Sequence, residues 1–322
     1  MRAPEFWQHD GFFPRLLAPA AAVYAAATAR RVARPGWRAP VPVICCGNAT
    51  AGGAGKTTLA LDLGARLAGL RVAFLTRGHG GEVRGVHRVD PAQDRAKLVG
   101  DEALLLAAGA PTWVAAERAA GARAAVAAGA EVLVMDDGLQ NPSLAKDFSF
   151  LVIDGGTGFG NRRVIPAGPL REPVAAAAGR CAAAVLIGAD RRDAAAALPP
   201  GLPVLRARLE QQDTADLAGR PVFAFAGIGI PEKFFAGLRE AGAVLAATVA
   251  FADHHPYGGA EITRLLARAT AIGALPVTTP KDAVRLSPDQ RARVRVIGVR
   301  LVWEEPAAID ALLAPVIGSA AP

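Results

Sequence analysis

The sequence is poor in the residues that define several classes of protein. Of its 322 residues only three are cysteines, too few for a disulfide framework, which fits a reducing cytosol. Aromatic residues make up 6% of the chain and are not interleaved with basic ones, so nucleic acid is a weak candidate for a partner. No internal repeat or low-complexity linker is evident, and nothing in the sequence indicates an obligate protein partner.

The N-terminal region lacks a run of apolar residues long enough to span a bilayer. The uncharged stretch at 16–29 has fourteen residues, where a span needs about 20. Arg30 and Arg31 follow this stretch, whereas a signal peptide places its positive charges first. The whole chain carries a charge of +7, and the first forty residues hold six arginines against two acidic residues. We therefore expect residues 1–35 to form an amphipathic helix on an anionic membrane surface. A helix packed on the protein's own core is the alternative, and the two are compatible.

The strongest motif is a glycine-rich turn between a predicted strand at 41–46 and a predicted helix at 59–67. It comprises Gly52, Gly53, Ala54, Gly55, Lys56, Thr57 and Thr58. Such a turn lets backbone N–H groups surround phosphate oxygens, with Lys56 reaching the β- and γ-phosphates and Thr57 offering a hydroxyl to Mg²⁺. Thr50 stands where the usual pattern has its first glycine. A glycine-rich connector that binds nothing is the alternative interpretation.

A pair of carboxylates supports the nucleotide-binding interpretation. Asp136 and Asp137 end an apolar run that predicts a buried strand. In enzymes with a phosphate-binding loop, an acidic residue at such a strand end holds Mg²⁺ beside the loop threonine. An ordinary turn would explain the pair equally well if no phosphate-binding loop preceded it.

Three further groups are weaker candidates. Asp101 and Glu102 begin a predicted helix, where favourable pairing with the helix dipole explains them at least as well as catalysis does. Arg171 lies in a proline-bounded loop and either stabilises phosphoryl charge or is merely solvated. His254 and His255 follow Asp253, and they bind metal, orient a base or cap a turn; no cysteine ligands accompany them to favour zinc.

The order of predicted elements indicates an α/β fold. Apolar strands alternate with helices, which predicts a largely parallel sheet of the P-loop NTPase type with helices on both faces. The stretch at 206–220 is polar with little periodicity, and a second run of strands and helices follows it up to a strand at 295–299. We therefore expect a large domain at 36–215 and a smaller α/β domain at 216–305.

Taken in order, these motifs resemble those of the tetraacyldisaccharide 4′-kinase family, the lipid A 4′-kinases of Gram-negative bacteria. The resemblance covers nearly the whole chain and includes the segments 47–57, 77–81, 100–102, 136–140, 168–172, 251–255 and 278–282. The missing first glycine of the loop is itself typical of that family. His79 is a departure, because the family more often has tyrosine at this position after Arg-Gly.

The resemblance implies ATP-dependent phosphorylation of the 4′-hydroxyl of a tetraacylated glucosamine disaccharide 1-phosphate, giving a lipid A precursor with two phosphates. It implies ATP and Mg²⁺ as cofactors. It also implies an N-terminal helix at the cytoplasmic face of the inner membrane and a C-terminal segment, 306–322, that packs back on the large domain.

The resemblance also assigns roles to individual residues. Asp101 would be the catalytic base and His254 its partner. The candidates for the metal shell are Thr57, Asp136, Asp137, Glu102 and Glu172. Arg171 would lie near the phosphates.

Two other functions remain open from the residues alone. A nucleotide-dependent switch or partitioning ATPase would hydrolyse ATP without a lipid acceptor, but that leaves the segment around His254 unexplained. A soluble small-molecule kinase would not need residues 1–35.

Overall fold

The computed structural model describes residues 4–318 of the chain, which form two α/β domains. The strands are β1 (Val43–Gly47), β2 (Val72–Thr76), β3 (Val86–Arg88), β4 (Thr112–Ala115), β5 (Val132–Asp136), β6 (Phe148–Asp154), β7 (Ala183–Ile187), β8 (Val204–Gln211), β9 (Pro221–Ala226), β10 (Val244–Ala250), β11 (Leu275–Thr278), β12 (Arg295–Val296) and β13 (Val299–Trp303). The helices are α1 (Phe12–Leu16), α2 (Ala18–Val32), α3 (Lys56–Arg66), α4 (Ala96–Val99), α5 (Asp101–Ala107), α6 (Arg118–Ala127), α7 (Val174–Ala178), α8 (Pro231–Glu240), α9 (Gly259–Ala271), α10 (Pro280–Ala283), α11 (Pro288–Arg291) and α12 (Pro306–Gly318). Short 3₁₀ turns cover Glu5–Gln8, Ala195–Ala197 and Ala215–Leu217.

The large domain is built on a nine-stranded sheet with the strand order β13-β8-β7-β6-β1-β5-β2-β4-β3. Neighbours pair in parallel except at the two edges, where β3 and β13 run antiparallel to the strands beside them. Side chains along β1 alternate between two cores: Val43 and Cys45 lie in one, Ile44 and Cys46 in the other. Burial on both faces explains why the central strands read as continuous apolar runs.

The smaller domain has a four-stranded sheet in the order β10-β9-β11-β12, parallel throughout. One face of β9 packs with Phe234 and Leu238 of α8. Its other face, carrying Phe223 and Phe225, packs with Ile262 and its neighbours on α9. The domain therefore has its own core on each side of its sheet.

The structure describes the boundary between the domains in more detail than the sequence prediction. The polar stretch at 206–220 contains most of β8, which pairs with β7 inside the large sheet. The strand predicted at 295–299 is divided, since β12 lies in the small sheet while β13 pairs with β8 in the large one. The chain thus returns to the large domain at Val299, within the range expected for the smaller domain.

Helix α12 then adds Ile309 and Leu313 to the core that contains β13. Residues 319–322 lie outside the described part.

The N-terminal segment is attached to the large domain by one face only. Ala21 and Thr28 of α2 are buried, which agrees with a helix packed on the protein's own core. The other side of the segment exposes large apolar groups: Phe12 is 74% exposed, Phe13 60%, and Leu16 62%. None of the helices described between residues 4 and 318 is both long enough and apolar enough to cross a membrane.

Candidate active site

The glycine-rich loop joins β1 to α3 with its open side to solvent. Gly55 caps α3 in the left-handed conformation (φ 88°), which favours glycine. The Asn48 side chain donates hydrogen bonds to Thr50 Oγ1 (3.2 Å) and the Gly52 carbonyl (3.3 Å), which fix the start of the loop. Added Cβ atoms on Gly52 and Gly53 would meet nothing within 4 Å. This space beside the loop and the α3 N-terminus suits an anion.

The neighbouring loop residue Ala54 is buried, and Thr58 lies in the first turn of α3.

Lys56 and Thr57 begin α3 and face the end of the neighbouring strand. Lys56 Nζ lies 3.5 Å from the Gly52 carbonyl oxygen and 3.8 Å from Asp137 Oδ1. Thr57 Oγ1 donates a 2.8 Å hydrogen bond to Asp136 Oδ2. The two ends meet because β1 and β5 are parallel neighbours, with Cys46 opposite Asp136.

Asp136 is a buried carboxylate with an unused oxygen. It is 1% exposed, and its Oδ1 atom has no hydrogen-bond partner among the described residues. Burial, and next the negative charge of Glu102, raise the pKa of Asp136 to about 7. A bound cation would offset both the burial and the repulsion, so the site fits Mg²⁺. Within residues 4–318 no three His, Cys, Asp or Glu side chains are arranged to hold a metal. A cation here would thus draw on Thr57, water or phosphate oxygens as well.

Asp137 faces cations. Arg171 donates to it through Nη1 (2.7 Å to Oδ1) and Nη2 (3.2 Å to Oδ2). Burial acts to raise the pKa of Asp137, but the charges of Lys56 and Arg171 outweigh it, and the pKa lies below its ordinary value. Asp137 therefore holds Arg171 and Lys56 on the same side of the loop.

Glu172 is also satisfied by protein donors. It is 3% exposed, and its Oε1 atom accepts hydrogen bonds from Gln140 Nε2 (2.8 Å) and Arg180 Nη2 (2.7 Å). Gln140 also donates to the Asn48 carbonyl at 2.9 Å, which connects Glu172 to the start of the glycine-rich loop. Of the acidic residues predicted for the metal shell, the geometry therefore favours Asp136 as a direct ligand.

Asp101 opens α5 on the large domain. The preceding Gly100 has φ 88°, and a Cβ there would lie 2.6 Å from the His79 carbonyl oxygen, so the turn requires glycine. Asp101 is 3% exposed, and its Oδ1 accepts from the Glu102 N–H at 2.9 Å.

His254, from the smaller domain, reaches Asp101 across the domain boundary. Its Nδ1 lies 2.9 Å from Asp101 Oδ2, and its Nε2 lies 3.3 Å from Lys281 Nζ. An ammonium group only donates, so Nε2 accepts from Lys281 and the ring proton on Nδ1 is donated to Asp101. His255 instead pairs with Glu261 at 2.8 Å. The structure thus places His254, and not its neighbour, on the carboxylate.

Two cations near Asp101, Lys281 and Arg285, were not among the predicted site residues. Burial acts to raise the pKa of Asp101, but the hydrogen bond from His254 and the charges of Lys281 and Arg285 outweigh it and hold the pKa well below its usual range. Lys281 lies in the segment 278–282, a polar strand end for which nucleotide contact and an ordinary turn were both open, and Arg285 lies outside every motif. Arg285 is 184 residues from Asp101 in sequence, and no local pattern signals such a contact.

Together these features define a class of protein. A P-loop phosphoryl-transfer protein is built from a strand, a glycine-rich loop, a Lys-Thr pair and a helix. It also has a buried aspartate at the end of the adjacent parallel strand, and this chain has all of these parts. At the boundary between the domains, Asp101 of the large domain pairs with His254 of the smaller one. A carboxylate–histidine pair of this kind is chemically suited to accept a proton from a hydroxyl group.

Comparisons with known proteins identify the family within this class. The sequence profile of the family described as Tetraacyldisaccharide-1-P 4'-kinase matches residues 13–317. The chain is 63% identical over 318 residues to the tetraacyldisaccharide 4'-kinase of Gluconacetobacter diazotrophicus, covering 97% of each sequence. It is 56% identical over 328 residues to that of Rhodospirillum centenum, covering 98% of this chain and 97% of the relative. The chain therefore belongs to the tetraacyldisaccharide-1-P 4'-kinase family, and the resemblance inferred from its motifs is confirmed.

A solved structure confirms the fold class. The crystal structure of LpxK from Aquifex aeolicus, described as an "apo" form in complex with ATP, superposes with a TM-score of 0.77 at 24% sequence identity. The match covers 95% of this chain and 100% of the other.

Proposed function

We propose that this kinase transfers the γ-phosphoryl group of ATP to the 4′-hydroxyl of a tetraacyl glucosamine disaccharide 1-phosphate. The observation that carries the proposal is the His254–Asp101 hydrogen bond between the two domains, in a chain whose relatives are named for this acceptor. The product would be the lipid A precursor with phosphates at both ends of the disaccharide.

The glycine-rich loop would bind the triphosphate. Open space lies beside Gly52 and Gly53 of the loop, and Lys56 and Arg171 are held near it by Asp137. These cations would neutralise charge on the transferring phosphoryl group. The ATP complex of the Aquifex aeolicus structure, which has the same fold, supports ATP as the donor.

Thr57 and the free oxygen of Asp136 would hold Mg²⁺, with Glu102 near enough to add to the local negative charge. When bound, the cation would screen the negative charge of the phosphates. Asp137 and Glu172 would support the site by orienting Arg171 and Gln140.

Asp101 would act as general base. The acceptor oxygen forms a bond to the γ-phosphorus while the bond to the β–γ bridging oxygen breaks, and ADP leaves with that electron pair. The hydroxyl proton passes to the Asp101 carboxylate, which is ionised at neutral pH. His254 fixes the carboxylate through Nδ1–H.

The N-terminal segment would place the enzyme on the cytoplasmic face of the inner membrane, where its acylated substrate lies. Phe12, Phe13 and Leu16 are exposed on the segment, and the arginines of the first forty residues would contact anionic head groups.

Transfer of label from γ-labelled ATP to purified tetraacyl disaccharide 1-phosphate tests the proposal, with Lys56→Met as the matched inactive variant. We expect a labelled lipid with wild type and none with the variant. ATP hydrolysis without a labelled lipid would indicate a switch ATPase. Equal transfer to water-soluble alcohols by a protein lacking residues 1–35 would indicate a soluble small-molecule kinase.

A further inference from the structure

Arg285 is a buried arginine that joins the two domains at Asp101. It follows α10 in the smaller domain, and its side chain is 6% exposed. Burying a guanidinium is costly unless its donors are used, so its partners indicate what it holds.

One end of the guanidinium is fixed within the smaller domain. Nη1 donates to the Gly227 carbonyl at 3.0 Å and to Asp282 Oδ1 at 3.2 Å. Asp282 is fully buried and accepts from the Gly227 N–H, the Tyr257 hydroxyl and the Thr279 hydroxyl. Because Asp282 is held by so many donors, it is a rigid support for Arg285.

The other end reaches the large domain. Nε lies 3.0 Å from Asp101 Oδ2, and Nη2 donates to the same oxygen. With His254 Nδ1 also on Oδ2, that oxygen receives three donors, whereas within residues 4–318 Oδ1 receives only the Glu102 N–H. A carboxylate oxygen accepts about two hydrogen bonds, so Oδ1 retains the free lone pair.

We propose that Arg285 is a positioning residue, which holds Asp101 from the smaller domain so that Oδ1 is the oxygen offered to the acceptor hydroxyl. The inference rests on the proposed role of Asp101 as the base. Arg285 itself would touch neither ATP nor the acceptor. Its effect would be on turnover, because a misplaced base slows proton transfer without weakening nucleotide binding.

If Arg285 only held the two domains together, any other residue that joins them should affect turnover in the same way. The neighbouring residue Val284 provides a control for this alternative. The Val284 side chain packs against a large-domain cluster that includes Val99 and Leu104, so it also joins the domains, but a valine side chain cannot donate a hydrogen bond to the carboxylate. Val284→Ala weakens docking alone, and we expect it to leave kcat within about threefold of wild type, as for a modest cavity away from the chemistry.

The test measures kcat and KM for ATP and for the lipid acceptor in Arg285→Met, Arg285→Lys, Val284→Ala and wild type. For Arg285→Met we expect kcat to fall about 100-fold with KM for ATP changed less than about threefold, in line with losses from misplacing a catalytic group. Arg285→Lys keeps a cation on Asp101 and should recover at least tenfold of that loss. Equal kcat losses in Arg285→Met and Val284→Ala, or no rescue by lysine, would overturn the proposal.

A double variant separates this inference from the proposal on Asp101. If Arg285 acts through Asp101, adding Arg285→Met to Asp101→Asn should not reduce the residual single-turnover rate further, whereas losses that multiply would contradict it. An Asp101→Asn enzyme with normal turnover would refute the base itself. An inactive Asp101→Asn enzyme beside a fully active Arg285→Met enzyme would refute only the role of Arg285.

Discussion

Asp136→Asn should make the ligand-free protein more stable while abolishing phosphoryl transfer. The substitution keeps the shape of the side chain and an oxygen that accepts from Thr57, but removes a charge from a site that is 1% exposed. If removing the charge of Asp136 stabilises the protein, the charge is present for function and not for stability. Here that function is to hold a cation.

The size and sign of the effect follow from the raised pKa. Burial and Glu102 raise the pKa of Asp136 from 3.8 to about 7. At about 1.4 kcal/mol per unit, the ionised carboxylate costs roughly 4 kcal/mol in the ligand-free protein. A raised pKa gives stability that is complete below pH 4 and lost as the pH rises through 7. Asparagine does not titrate, so the two proteins should be similar near pH 4 and differ fully at pH 8.

Thermal unfolding followed by circular dichroism at pH 5 and pH 8 measures this difference. We expect the variant to have a Tm roughly 5–10 °C above wild type at pH 8, at about 2 °C per kcal/mol for a domain of this size, and a smaller gain at pH 5. Saturating Mg²⁺ and ATP should stabilise wild type far more than the variant. The exposed Asp289→Asn should change neither profile. A variant that is less stable than wild type at pH 8 without ligands would refute the reasoning.

Three other outcomes are expected. Lys56→Met should lower kcat on the order of 1,000-fold, since the lysine neutralises charge on the transferred group, and single-turnover label transfer measures it. His254→Asn should slow turnover roughly 10- to 100-fold because it no longer orients the base, whereas His255→Asn should retain turnover; comparable losses in both would contradict the assignment. Replacing both Phe12 and Phe13 by serine should weaken binding to anionic vesicles more than tenfold at unchanged stability. Both side chains are exposed, and burying each phenylalanine in a bilayer contributes about 2 kcal/mol to the binding free energy. Unaltered co-sedimentation with vesicles would refute that role.

Local patterns predicted much of the large domain because its central strands are buried on both faces. The apolar runs at β1 and β5, and the loop with its Lys56-Thr57 pair, are visible in the sequence for that reason. Strands β8 and β13 were not predicted as they stand, because both lie toward the sheet edge and carry arginines at exposed positions. The arginines of β8 make the stretch at 206–220 polar and hide its periodicity. Edge strands have the weakest signal because only part of their surface is buried.

The candidate site divides in the same way. The phosphate-binding half comes from residues adjacent in sequence or at the ends of neighbouring parallel strands. The base half depends on domain docking: Asp101 meets His254 across 153 residues and Arg285 across 184. From the residues alone, pairing with the helix dipole was the favoured interpretation of Asp101, and the family resemblance shifted it to catalysis. The contacts that Arg285 makes with Asp101 and with its support, Asp282, are visible only in the tertiary structure.

The most direct test of the account is to measure ATP binding and phosphoryl transfer side by side in Asp101→Asn. ATP affinity is read by equilibrium titration, and transfer by the label that reaches the tetraacyl disaccharide 1-phosphate in a single turnover. We predict ATP binding close to wild type and transfer slowed about 1,000-fold, the contribution typical of a general base. Transfer near the wild-type rate in a folded, ATP-binding Asp101→Asn protein would contradict the account.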